Sequence, residues 1–198
     1  MAIIVDKIQK RKDIALACKE LFLENGINGL TVAQVAKTAG VGKGTIYDYF
    51  KNKEDIVFEI VNILMQEYNE IKKDKLDSAI STREKVKEFV GIFYEEEQKA
   101  LKQLYKEFIS ISLLTPSKEM LDFQTACSVT YFEWFQKIME EGVLSGELKP
   151  GSEVFARGLF AVPEGMFIKS VSTHLTSNLK AEIHEFYDAI FDMIEEKK

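Results

Sequence analysis

Residues Ala39 to Asp55, AGVGKGTIYDYFKNKED, concentrate groups that could hold a phosphate. Lys43, Lys51 and Lys53 supply cations, and Tyr47, Tyr49 and Phe50 stand among them. Two chemistries fit. A glycine-rich loop can cradle a nucleotide phosphate with its backbone N–H groups, or a short helix can carry hydroxyls and ammoniums into a DNA groove. The nucleotide pattern places four residues between its first glycine and a Gly-Lys-Ser/Thr ending, after a strand. Here Val-Gly-Lys-Gly-Thr follows Gly40 directly and the preceding segment reads as helical, so a nucleotide cradle is strongly discounted.

The elements that would position these groups are short helices. A first helix is expected from Asp6 to Glu24, with Ile14, Cys18, Leu21 and Phe22 on one face, Ala17 beside them, and Gly26 to end it. Thr31 followed by Gln34 makes a capping box for a second helix through Thr38, whose apolar face is Val32, Val35 and Ala36. Gly40 serves the turn. A third helix is expected over about Lys43 to Tyr49, with Ile46 and Phe50 spaced to pack inward. Two short helices about a tight glycine turn are the parts of a helix-turn-helix, whose second helix offers its outer face to a major groove.

Bulk properties agree. The 198 residues are 46% hydrophobic and 29% charged, a soluble globular balance with length for a sizeable core. Apolar residues recur at three- and four-residue spacing without sustained alternation, so the class is all-α, with about nine helices. The net charge of −6 is unevenly spread: residues 1–53 carry nine Lys/Arg against five Asp/Glu, a surplus of +4, and the remainder carries −10. A basic head on an acidic body fits a polyanion-binding domain joined to one with another task. No apolar run is long enough to cross a bilayer, and the start, MAIIVDKIQKRKD, does not read as a signal peptide, so a cytoplasmic location is expected. Cys18 and Cys127 are isolated and read as small buried hydrophobes; neither they nor His174 and His184 have the spacing of a metal site. Both histidines, near helix ends, are expected at the surface. No cofactor is expected, and no nucleophile, base and orienting group come together, so no enzymatic activity is expected.

From Ile14 to Asp55 the sequence resembles the DNA-binding region of tetracycline-repressor-like (TetR family) transcription regulators. The resemblance rests on Leu21-Phe22, Gly26, Thr31-Val32, Val35-Ala36, Ala39-Gly40-Val41, Lys43-Gly44-Thr45-Ile46-Tyr47, Tyr49-Phe50 and Lys53-Glu54. It implies a homodimer that sets two recognition helices into successive major grooves of a palindromic double-stranded operator. The domains are then residues 1–53 for DNA and 54–198 for ligand binding and dimerisation. The residues expected to meet DNA are Thr31, Gly42, Lys43, Gly44, Thr45, Tyr47, Asp48, Tyr49 and Lys53. Lys43 can reach a guanine edge or a phosphate, Gly44 allows close approach, and Thr45, Tyr47 and Tyr49 offer hydroxyls. Lys53 is a simple phosphate partner, and Lys7, Lys10, Arg11 and Lys12 are expected to add phosphate contacts. Each has a plainer reading: Tyr47 as packing, Thr31 as a cap alone, Lys51 and Lys53 as solvated charges. Gly42 stands where the family usually has Ser or Thr, which removes a side-chain cap. Asp48 either faces away from DNA or accepts from a cytosine amino group.

Beyond residue 53 a long helix is expected to about Lys75, with Ile56, Ile60, Ile63, Leu64 and Tyr68 inward. Further helices are expected over 82–114 and 117–144, broken at Thr115-Pro116, then over about 152–174 and 179–196. The segment EGVLSGELKPGSE reads as a turn using Gly142, Gly146 and Pro150-Gly151. Pro163 is expected to kink its helix. By the resemblance the last two helices form the dimer interface, although part of the apolar stripe Ile183, Phe186, Tyr187, Ile190, Phe191 and Ile194 must pack within one subunit. Candidates to line a site for an unknown, largely apolar small-molecule effector are Phe89, Phe93, Phe108, Phe123, Cys127, Tyr131, Trp134, Arg157, Glu164 and Phe167. Most of these rings must be ordinary core. Glu164 shares a face with Arg157 and could recognise a cation, sit exposed, or pair across the dimer.

The leading reading is a ligand-responsive repressor. The alternatives are a DNA-binding regulator with no small-molecule inducer and an all-α carrier of hydrophobic molecules, which the basic head disfavours.

Overall fold

The computed structural model describes residues 6–197; the apolar start of the chain, weighed above as a possible leader, lies outside them. Among the described residues there are nine α-helices: α1 (Lys7–Asn25), α2 (Val32–Thr38), α3 (Lys43–Tyr49), α4 (Lys53–Ser78), α5 (Thr82–Phe89), α6 (Lys99–Leu114), α7 (Lys118–Leu144), α8 (Ala156–Ser172) and α9 (Leu179–Ile194). The only β pairing among them is an isolated bridge between Leu148 and Glu195. The all-α expectation holds. Contacts divide the described residues into two compact units, one within residues up to 68 together with 103–121, the other 69–102 together with residues from 122 onward.

The first unit is built from local signals. Asp6 caps α1 by accepting from the N–H groups of Ile8 and Gln9. Ile14, Ala15, Cys18 and Phe22 are the buried residues of α1, while Ala17 is exposed. The apolar arc is therefore turned one step from the expected one, with Ala15 in place of Ala17. The Cys18 thiol points to the Val35 carbonyl at 3.6 Å, and burial pushes it up to about 11, so it behaves as the small hydrophobe expected. Gly26 ends α1 at φ +68°, and the Glu107 carboxylate of α6 lies against it. Phe108 packs edge-on against Phe58 of α4 at 5.9 Å.

In the second unit, Leu76, Val86, Phe89, Phe135, Ile138, Met139, Leu159, Ile183, Tyr187, Phe191 and Ile194 make one core. The expected helix over 82–114 is in fact interrupted. After α5 the chain makes 3-10 turns at Gly91–Phe93 and Glu96–Gln98 before α6 begins. Gly91 weakens helical propagation there, the Tyr94 hydroxyl donates back to the Lys87 carbonyl at 2.9 Å, and Glu95 turns to pair with Lys75. Gly142 belongs to α7 rather than to the turn that follows. A Cβ there would stand 2.6 Å from the Thr82 hydroxyl oxygen, so only glycine admits this approach of α5. Thr82 donates from its N–H and its hydroxyl to Glu147, at 2.7 and 2.9 Å. Arg83 ties α5 to Asp188, Asp192 and Glu195, at 3.2, 2.8 and 2.6 Å.

Pro163 lies buried inside α8, which runs on through it. Proline lacks the N–H that would serve the carbonyl four residues back, Leu159. The buried Tyr187 hydroxyl of α9 donates to that carbonyl instead, at 2.9 Å. His184 is half-buried rather than superficial: its Nε2 is 3.1 Å from the Tyr94 hydroxyl, and burial followed by Lys87 and Lys180 lowers its pKa. His174 is exposed.

Candidate nucleic-acid interface

The α2–α3 pair is fixed from inside. The Thr31 hydroxyl accepts from the Gln34 N–H at 3.3 Å, and the Gln34 side chain accepts from the Thr31 N–H at 2.9 Å, which completes the expected capping box. Gly40 takes the turn at φ +66°, and the Val41 N–H donates to the Ala36 carbonyl at 3.0 Å. Ile46 and Phe50 are 1% and 2% exposed, so one side of α3 is committed to the core.

That commitment decides what the other side presents. Lys43, Gly44, Tyr47 and Asp48 are exposed and recur at helical spacing on one outward face, with Tyr47 53% exposed. Thr45 and Tyr49 are half-buried at its margins. Gly42 is the N-cap residue of α3 and makes no side-chain cap bond. Asp48 lies on the outward face, one turn beyond Gly44. Thr31 is exposed, but its hydroxyl is already engaged with Gln34.

Two basic residues expected at phosphates have internal work. Arg11 donates to Asp55 and to Glu59, each at 2.7 Å, and to the Tyr49 carbonyl at the end of α3. Its guanidinium lies 4.3 Å from the centroid of the Phe50 ring. Burial pushes the Asp55 carboxyl up, but the Arg11 hydrogen bond, the Lys51 N–H and the charges of both outweigh it and hold Asp55 below its ordinary range. Arg11 is thus a brace between α1, the end of α3 and α4. Lys53 points to the Asn28 and Leu30 carbonyls at 3.4 and 3.3 Å, which ties α4 to the loop before α2. The partners of Arg11 lie up to 48 residues away, and no local spacing announced them.

The candidate effector residues do not form one set. Phe108 belongs to the first unit. Arg157 is exposed and lies over Phe132 at 4.6 Å, while Glu164, Phe123 and Cys127 are half-buried. Phe93 pairs with Phe167 at 5.7 Å. Phe89, Tyr131 and Trp134 do come together: Phe89 meets Trp134 edge-on at 5.2 Å and Tyr131 stacks on Trp134 at 6.5 Å. At their centre is a residue the sequence reading passed over. Lys72 is 2% exposed, with its ammonium 4.3, 5.0 and 5.6 Å from the ring centroids of Phe89, Tyr131 and Trp134. The legible signal was its register: Lys72 stands between Tyr68 and Leu76 in a four-residue apolar stripe, while the neighbouring Ile71 is exposed. Among the described residues no group of three or more His, Cys, Asp or Glu could hold a metal ion, and no helix is long and apolar enough to cross a membrane.

Known proteins share this arrangement. Residues 14–60 match the sequence model of bacterial regulatory proteins of the tetR family. The fatty acid metabolism regulator protein of Bacillus subtilis is 27% identical over 194 residues, covering 95% of each chain. A TetR-family transcriptional regulator of Cytophaga hutchinsonii superposes with a TM-score of 0.80 at 14% identity, over 98% of this chain and 99% of that one. The Bacillus subtilis regulator FadR, solved in complex with stearoyl-CoA, gives a TM-score of 0.69 at 23% identity, over 91% and 95%. Residues 14–60 thus carry the helix-turn-helix segment of the tetR-family regulatory proteins, in a chain that is similar along nearly its whole length to transcriptional regulators of that family.

Proposed function

We propose that the protein is a repressor in the cytoplasm that works by binding alone. Residues 1–53 hold a palindromic operator, and residues 54–198 dimerise and receive a small, largely apolar effector that releases the DNA. The observation that carries the DNA part is the outward face of α3, where Lys43, Gly44 and Tyr47 stand clear of a buried Ile46/Phe50 anchor. Lys43 supplies a cation for a guanine edge or phosphate, Tyr47 a hydroxyl, and Gly44 room for the backbone to approach. Asp48 shares that face and fits the amino donor of a cytosine. Thr31, Gly42, Thr45, Tyr49 and Lys53 complete the DNA contacts in this reading, with Lys53 serving the fold as well. Dimerisation through α8 and α9 is supported by apolar groups left exposed there, Ile168, Val171 and Met193. The effector part is supported by the likeness to a regulator that holds stearoyl-CoA.

The test is a gel-shift titration against the DNA upstream of the chain's own gene. Lys43→Ala and Tyr47→Ala are each expected to weaken specific binding about tenfold, or roughly 1–2 kcal/mol, while thermal melting stays as in wild type. Wild-type affinity in both variants would overturn the reading. Binding that is steeply salt-dependent but indifferent to sequence would point to a nucleoid factor instead.

A further inference from the structure

Residues 90–98, which break the expected long helix into α5 and α6, are pinned at three points. Phe93 packs on Phe167 of α8 with ring centroids 5.7 Å apart, Glu95 pairs with Lys75 of α4, and Tyr94 lies against His184 of α9. The first pin is apolar and the second an ion pair; the third contains an imidazole, the side chain that titrates nearest neutrality. The Tyr94 hydroxyl has one proton, and it donates that proton to the Lys87 carbonyl at 2.9 Å. Toward the His184 Nε2, 3.1 Å away, the phenol oxygen can therefore only accept. Nε2 thus carries the proton of the neutral ring, and Nδ1 is the nitrogen left to take up another. The two rings also meet edge-on, 5.4 Å between centroids. The charges that act on the imidazole come from α5 and from α9 itself: Lys87 and Lys180 oppose an added proton, and Asp188, one turn further along α9, favours it. Asp188 is already shared between Lys87 and Arg83. Lys180 also lies 5.5 Å from the centroid of the Tyr94 ring. Burial, then Glu88 and Glu95, push the Tyr94 phenol up, and burial does the same to Tyr187, which bonds to α8, so both phenols stay neutral.

We infer that His184 is a proton-operated catch: neutral, it fastens residues 90–98 to α9, and protonated at Nδ1 it lets them loosen. The added charge is a third cation beside Lys87 and Lys180, in a half-buried place whose facing carboxylate is already committed. The ring relieves this by turning out to water, which gives up the Tyr94 oxygen, or by drawing Asp188 away from Arg83 and Lys87. Either movement breaks a tie between α9 and the chain around α5. The sign of the linkage follows from the same groups. Burial, then Lys87 and Lys180, hold His184 below its ordinary 6.5 in the folded protein. Its contribution to stability is therefore complete above 6.5 and is lost as pH falls through 6.5 toward the folded value. The catch lies within one compact unit and needs neither DNA nor an effector to operate.

The experiment uses the full-length protein carrying His174→Gln, an exposed position, which leaves His184 as the single imidazole of a chain with two histidines. Nitrogen NMR across a pH titration should find the proton of the neutral ring on Nε2 and a midpoint below 6.5. Hydrogen exchange then reads protection factors for the amides of residues 91–98, at about pH 7.5 and at about one unit below the measured midpoint. Protection should fall on acidification by about tenfold for each unit that separates the measured midpoint from the ordinary one. In His184→Gln, whose amide can still donate to Tyr94 but takes up no proton, that fall should vanish. Lys180→Gln, at an exposed position, should raise the midpoint and shrink the fall. A midpoint at or above 6.5, the neutral ring's proton on Nδ1, an equal fall in His184→Gln, or a Lys180→Gln midpoint that stays or moves down would each overturn the inference.

Discussion

Arg11 in the first unit and Lys72 in the second each lie 4.3 Å from the centroid of a phenylalanine ring, Phe50 and Phe89. Around that shared contact the two sites diverge. Arg11 is surrounded by acceptors, two carboxylates and a backbone carbonyl; burial pulls its pKa down, but the hydrogen bonds and charges of Asp55 and Glu59 together raise it. Lys72 is surrounded by more rings and drawn down toward neutrality. A cation held by acceptors fixes geometry. A cation packed among rings sits where its charge is costly to keep. Under the proposed function, the unit that carries α3 presents it in one orientation, whereas the other unit responds to a molecule that is sometimes there.

The largest expected effect breaks the first side of this comparison. Arg11→Met strands Asp55 and Glu59 beside each other and releases the end of α3. It should lower urea stability by about 2–3 kcal/mol, between the values for exposed and fully buried pairs, and weaken operator binding as well. No change in either would mean that Arg11 is no brace. Next is a buried polar contact of the second unit. Tyr187→Phe keeps the ring but orphans the Leu159 carbonyl, and should cost about 1–2 kcal/mol in the same assay.

Lys72 should behave in the opposite sense from Arg11. Its folded pKa lies below the unfolded value, so between about pH 7 and 10 the unfolded chain binds the extra proton. Stability from this group is therefore lowest below pH 7 and is regained as pH rises. The gap between wild type and Lys72→Met should narrow by up to about 1 kcal/mol per pH unit across that window. A constant gap would show that Lys72 does not change protonation on unfolding. The smallest effect concerns the one end of α3 without a side-chain cap. At Gly42, φ is −68° and a new Cβ would meet only the Thr45 hydroxyl oxygen at 3.7 Å. Gly42→Ser should add a few tenths of a kcal/mol, read as a small rise in melting temperature.

These sites also separate what the sequence discloses from what it hides. Thr31 with Gln34, and Ile46 with Phe50, were legible because each pair is three or four residues apart and one helical turn decides the outcome. The interruption after Phe89 was missed because it depends on Glu95 finding Lys75 and Tyr94 finding the Lys87 carbonyl, contacts that helical periodicity does not contain. Arg11 was read as a phosphate partner because nothing near residue 11 announces Asp55 or Glu59. The scattered placement of Phe93, Phe108, Phe123, Arg157 and Glu164 has the same cause: ring density marks apolar helices, but only tertiary packing sorts the rings. Lys72 is the intermediate case, visible as a charge in an apolar stripe yet interpretable only once the rings surround it.

The substitution of the Tyr187 hydroxyl for the N–H that Pro163 lacks also bears on folding order. Helix α8 cannot complete its own hydrogen-bond ladder; one rung is supplied by α9, some 28 residues later in the chain. The two helices should therefore form and dissolve as one cooperative block, with α9 docking as the event that lets the middle of α8 persist. In hydrogen-exchange experiments the amides flanking Pro163 should lose protection together with those of α9.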